Sequence, residues 1–174
     1  MNITQETIET SSERDFRQVD RRYITLSRVT NVIFALIVSI GLAFATVAYW
    51  ASMQWDWISW AIGIAAVFLT LLLWIVAIVW PALSYQRLSW RMGDFGLEIH
   101  RGVLWRHQIS IPVARVQHAD VSQGPLQRQF GLGTLIVHTA GTQNSSVELD
   151  GLAHELAVDL RDQIVKQKEL VDVV

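Results

Sequence analysis

The spacing of apolar residues changes period along the chain and divides it into distinct stretches. Two runs, "VTNVIFALIVSIGLAFATVAYWA" from residue 29 and "WISWAIGIAAVFLTLLLWIVAIVW" from residue 57, are apolar on every side. No charged residue lies between Arg28 and Asp56, a gap of 27 positions, or between Asp56 and Arg87, a gap of 30. A hydrocarbon core of about 30 Å needs roughly 20 apolar helical residues to cross it, so both runs are long enough. Core helices of a soluble protein share this composition, but the rest of the chain is too short to cover two of them all round. The pattern predicts a transmembrane hairpin over residues 28–83, with spans at about 29–51 and 58–80.

After Pro81 the apolar residues alternate, the signature of half-buried strands. Residues 87–94 place Leu88, Trp90 and Met92 on one face, and residues 96–102 set Leu97 and Ile99 against Glu98 and His100. Residues 103–111 put Val103, Trp105, Ile109 and Ile111 on a common face, and Pro112 ends the run. Residues 113–122 also read as a strand, with a phase slip between Val116 and Ala119 that predicts a bulge. Strands over 134–141 and 146–151 complete the set. The period then becomes helical: Leu152, Leu156, Leu160 and Ile164 form an i, i+4 stripe in a helix predicted over about 152–168, with Asp150 as its N-cap. Such a stripe needs an apolar surface, and the open end of a small curved antiparallel sheet supplies one. The domain is therefore assigned to residues 84–174.

Charge fixes the expected orientation. Arg14, Arg17, Arg21, Arg22 and Arg28 precede the first span, Arg87 and Arg91 follow the second, and the link "SMQWDW" has neither Lys nor Arg. Positive loops stay in the cytoplasm, so both termini and the C-terminal domain are expected there. Trp50, Trp55, Trp57 and Trp60 near the hairpin tip, and Trp80 and Tyr85 at the other end, mark the two headgroup layers. "AFA" at 43–45 resembles a signal cleavage site, but five acids lie among the first 28 residues and a second span follows, so an uncleaved anchor is expected. Residues 1–27 form a polar N-terminal lead-in, and residues 1–20 in particular are expected to be disordered or loosely attached. The net charge of −2 hides an asymmetry: residues 84–130 carry +3 and residues 131–174 carry −4. With no cysteine, the chain has no disulfide, thiolate metal site or thiol nucleophile.

The stretch "GLEIHRGVLWRHQISIPVARVQHADVSQGPLQRQFGLGTLIVHTAG", residues 96–141, carries a family resemblance. Gly102, Ile111, Pro112, Arg115, Gln117, Gly124, Pro125, Leu126, Gln127, Arg128, Gly131, Thr139, Ala140 and Gly141 match its pattern. The chain resembles the bacterial pleckstrin-homology (PH) domain proteins of the YdbS-like type, formerly the domain of unknown function 304 family, over about residues 28–165. The resemblance implies an all-β PH-like split barrel capped by a C-terminal α-helix and held at the cytoplasmic face of the bacterial plasma (inner) membrane. It implies no known reaction, and it suggests pairing with a larger membrane protein that carries several copies of the module.

Candidate chemistry is sparse. "HELAV" at 154–158 begins like a zinc-protease helix, but Val158 occupies the place of the second histidine. Glu98 with His100, and His118 with Asp120, share strand faces and are candidate orienter–base pairs, although exposed strand alternation yields the same residues. "GLGTLI" lacks the third glycine of a dinucleotide fingerprint, and no Walker lysine or Ser elbow is present. The chain is read as no enzyme, with no catalytic or metal residues, no cofactor and no nucleic-acid partner. Arg87, Arg91, Arg101, Arg106 and Arg115 are the candidates for lipid-headgroup contact. "GPLQRQFG" reads as one helical turn between strands: Pro125 at the first position, Leu126 and Phe130 inserted in the barrel edge, and Gly131 as a left-handed cap. Its outward Gln127, Arg128 and Gln129 are candidates for partner contact.

The expected function is a membrane-anchored, non-enzymatic PH-like module that assembles with other membrane proteins. Its partners are the lipid bilayer, a membrane protein bearing the same module, and a second copy in a homo-oligomer. The rival expectation is an anionic-lipid or ligand sensor using the arginine face. Gly41 with Ala45, and less regularly Gly63 with Ala66, offer small residues for close helix packing.

Overall fold

The computed structural model describes residues 16–52, 57–93, 95–140 and 146–172. It contains two compact units, one of residues 24–83 and one formed by the chain up to Tyr23 together with the chain from Ser84 onward.

The first unit is the helical hairpin: α1 spans Arg22–Ser52 and α2 spans Trp57–Gln86. Both are long and apolar enough to cross a membrane, and only 6% and 11% of their most apolar windows is buried. A soluble core helix would be covered; here Phe34, Phe44, Ile64 and Phe68 stand exposed, as lipid-facing side chains do. Four hydroxyls inside the runs are satisfied locally. The hydroxyls of Thr30, Ser39, Thr46 and Thr70 donate to carbonyls four residues earlier, which suits a medium without water. Trp74 Nε1 donates to Ser39 Oγ at 3.2 Å and Trp50 Nε1 to the Ser59 carbonyl at 3.0 Å, joining the two helices. Gly63 is where the Trp50 indole seats, since a Cβ there would lie 2.6 Å from the ring. Of the expected tryptophan cluster at the tip, Trp50 and Trp60 lie 5.9 Å apart, and Trp55 falls outside the described residues. The helix α2 runs through Pro81 to Gln86, five residues beyond the proline at which the apolar pattern ends.

The second unit holds seven antiparallel strands in two sheets among the described residues. One sheet has the order β1–β2–β3–β4 (Arg17–Gln18, Ser89–Gly93, Gly96–Arg101, His107–Pro112). The other has the order β5–β6–β7 (Val116–Ser122, Leu132–Thr139, Ser146–Ala153). A single 3-10 turn, Val113–Arg115, leads from one sheet to the other, and the bulge predicted early in β5 falls between Val116 and His118. The short helix α3, Pro125–Phe130, joins β5 to β6, and α4, His154–Asp172, ends the described chain. Inward residues of both sheets, among them Trp90, Leu97, Ile99, Leu135, Val137 and Leu149, meet Ala157, Leu160 and Ile164 of α4 in one core. Each fully buried aliphatic side chain there contributes about 1.5–3 kcal/mol.

Three further elements differ from the sequence expectation, besides the longer α2 and the 3-10 turn at Val113–Arg115 where a strand was expected. Residues 1–15 of the lead-in lie outside the described residues, but residues 16–20 are part of the domain. The strand β1 pairs Arg17 with Trp90 and Gln18 with Ser89, Val19 is buried in the core, and the Asp20 amide donates to the Gly151 carbonyl at 2.9 Å. A two-residue strand is too short to show alternation, which is why the pattern missed it. The Tyr23 ring lies against Gly151, where a Cβ would come within 2.6 Å of it. Asp150 is not the N-cap of α4. It lies inside β7, and its carboxylate accepts from Thr134 Oγ1 at 2.7 Å; α4 begins at His154, whose amide donates to the Gly131 carbonyl. Finally, residues 102–106 form a loop and β4 starts only at His107. Leu104 and Trp105 are therefore exposed at 77% and 79%, so the alternation through Trp105 marked no core face.

Candidate anionic-headgroup site

Strand alternation builds the site. Trp90, Ile99 and Ile109 pair across β2, β3 and β4 on the inner face, so their neighbours Ser89, His100 and Gln108 form the adjacent row on the outer face. Phe16, just ahead of β1, stacks on the His100 imidazole at 4.3 Å. Around this row is a cavity of about 460 Å³ lined by Arg87, Arg101, Arg106 and His107 as well. Among the described residues its lining includes three arginines and two histidines and no carboxylate. Arg87 enters directly after the last residue of α2, whereas Arg101 and His107 face each other across the end of the β3–β4 hairpin. Arg106 lies between His107 and the exposed Leu104–Trp105 tip of the same loop. Cationic forks beside an apolar tip are suited to a phosphate group that sits next to acyl chains.

The five candidate arginines thus separate. Arg87, Arg101 and Arg106 share the cavity. Arg91 is paired with Glu98 at 2.9 Å, lies over the Phe16 ring at 4.9 Å, and lines a different cavity with Trp90 and Leu160. Arg115 sits in the 3-10 turn between the sheets, where its carbonyl accepts from the Ala140 amide. The Glu98–His100 pair considered from the sequence has different neighbours for each member, Arg91 for Glu98 and Phe16 for His100. His118 and Asp120 are on β5 in the other sheet, and β6 brings His138 directly opposite His118.

The α3 turn is as the sequence predicts in its backbone: Pro125 opens it and Gly131 closes it at φ 66°. Leu126 and Phe130, expected at the barrel edge, are half-buried. Gln127 is bound internally, its Oε1 accepting from the Gly124 amide at 2.8 Å and its Nε2 donating to Thr134 Oγ1 at 2.9 Å. Arg128 and Gln129 are exposed.

Sequence reasoning missed Phe16, His100, His107 and Gln108 as parts of the cavity. The register across three strands gathers them, and no single segment carries that signal.

The family model for the bacterial PH domain matches residues 24–168, which include nearly all of both long helices and the strands β2–β7. This chain belongs to the bacterial PH domain family. A curated relative, the UPF0699 transmembrane protein YdbS of Bacillus subtilis (strain 168), is 31% identical over 142 residues, covering 81% of this chain and 84% of its own length. No solved structure matches. Membership, the two apolar helices and the two-sheet domain together make this a membrane protein with a bacterial PH domain.

Proposed function

We propose that the chain is a non-enzymatic module that docks its PH-like domain on anionic lipid headgroups at the cytoplasmic face of the plasma membrane. The observation that carries this reading is the cavity, lined by no carboxylate among the described residues, in which Arg87, Arg101 and Arg106 converge beside an exposed Leu104–Trp105 tip. The charge is favourable for phosphate, and the apolar tip is suited to the interface where indole rings settle. The test uses the full chain in nanodiscs of phosphatidylcholine, mixed with free vesicles. Vesicles containing phosphatidylglycerol are expected to capture the discs, and pure phosphatidylcholine vesicles are not. Equal capture by both would sink the proposal.

The orientation is tested separately, because a chain without cysteine accepts single reporters. In intact cells Gln129→Cys should resist a membrane-impermeant maleimide and Met53→Cys should react. The reverse pattern would place the domain outside.

Assembly with another membrane protein is a second reading, supported by the surface of the hairpin. A Cβ at Gly41 would meet no atom within 4 Å, and Ala45, one turn on, is exposed. Asn31 lines an apolar groove of about 290 Å³ with Phe34, Leu73 and Trp80. Close helix approach and an interhelical amide contact both suit such a surface. The exposed Arg128 and Gln129 are the domain's contribution. A partner should co-purify in mild detergent and be lost in Gly41→Leu; recovery of the chain and lipid alone would remove this reading.

A further inference from the structure

Beyond the lipid-docking reading, and on the other sheet, three metal-ligating side chains converge. His118 and Asp120 alternate on β5, and their shared outward face follows from the inward placement of Ala119 between them. His138 pairs with His118 across β6. The two imidazoles stack with centroids 4.2 Å apart and planes 18° from parallel. Both direct Nε2 toward the same carboxylate oxygen: His118 Nε2 is 3.7 Å and His138 Nε2 3.6 Å from Asp120 Oδ2. One donor atom from each residue lies within 4.8 Å of the others.

We propose that His118, Asp120 and His138 form a binding site for a divalent transition-metal ion of the zinc type. The separations decide between the two ways of joining these groups. At 3.6 and 3.7 Å the imidazoles are too far from Oδ2 for direct hydrogen bonds. Two ligands on one tetrahedral zinc ion, each about 2.0–2.1 Å from the metal, stand roughly 3.4 Å apart. The two imidazole–carboxylate spacings need only a few tenths of an ångström of closure, and the stacked rings must tilt toward a common point for both Nε2 lone pairs to meet one ion, a movement open to surface side chains on a fixed sheet. Two imidazoles and one carboxylate suit zinc, copper or nickel, whereas magnesium and calcium prefer an all-oxygen shell. Three protein ligands leave one tetrahedral position for water. The three side chains lie on the second sheet and share no residue with the arginine cavity of the first.

The test is equilibrium dialysis of the untagged full chain in mild detergent against Zn²⁺, with Co²⁺ as a spectroscopic probe. The expected result is one saturable equivalent of metal and visible Co²⁺ absorption typical of a nitrogen–oxygen shell. Asp120→Asn, His118→Ala and His138→Ala should each weaken binding by roughly tenfold or more, while His100→Ala and His107→Ala leave it unchanged. Zn²⁺ should also raise the melting temperature of the wild type but not of His118→Ala/His138→Ala, whose metal-free melting temperature reports whether the fold is intact. Absence of saturable binding, or binding that survives in the double variant, would overturn the proposal.

Discussion

Reversing two charges in the cavity, Arg101→Glu with Arg106→Glu, is expected to abolish capture of the full chain by phosphatidylglycerol vesicles. An arginine close to an anionic surface contributes about 1 kcal/mol. Reversal removes that attraction and adds a repulsion of similar size, so two sites lose about 4 kcal/mol, or roughly a thousandfold in affinity. Both side chains are exposed, and neither belongs to the hydrophobic core, so the domain should keep its fold. Capture by the variant should not be restored at low ionic strength, where charge effects reach furthest. A variant that binds like the wild type would remove the arginines from the account.

The second large effect is structural and lies in a segment that looks dispensable in the sequence. Val19→Asp is expected to unfold or severely destabilise the PH-like domain. Val19 is 4% exposed and packs in the same core as Leu88 and Trp90, and the neighbouring Asp20 amide is tied to Gly151. An unpaired carboxylate in such a place costs several kcal/mol, a large share of the roughly 5–15 kcal/mol that holds a typical domain together. Limited proteolysis of the full chain should cut within residues 84–172 in the variant and spare the wild type. Equal resistance would mean that residues 16–19 are not docked. The same reasoning predicts that a fragment starting at residue 84 is a poor substitute for the domain, since it omits β1, Val19 and Tyr23.

Features with strong local causes were legible in the sequence. The two spans follow from uninterrupted apolar length, the α4 face from its i, i+4 stripe, and α3 from Pro125 and Gly131 at its ends. The β5 bulge was visible because Val116 and Ala119 fall out of phase. What escaped depended on contacts far apart in the chain. The strand β1 exists only because β2 offers an edge, and nothing in Arg17–Gln18 announces a strand. The loop at 102–106 imitates alternation, so Trp105 falls in phase with Ile109 and Ile111 although the chain leaves the strand after Arg101 and exposes it. The five arginines looked equivalent because strand register, which pairs Arg91 with Glu98, is not written in any one strand. His138 could not be joined to His118 and Asp120 for the same reason.

The central claim is that location, not overall charge, makes the arginine cavity the docking site. Arg101→Glu/Arg106→Glu and Arg115→Glu/Arg128→Glu change the net charge equally but alter different surfaces, only the first belonging to the cavity. Vesicle capture of the two full-length variants, measured side by side at about 0.1 M salt, where charges act over about 10 Å, separates the alternatives. The account predicts that the cavity pair loses at least about a hundredfold more affinity than the control pair, a difference of about 2.8 kcal/mol. Equal losses in the two variants would contradict it.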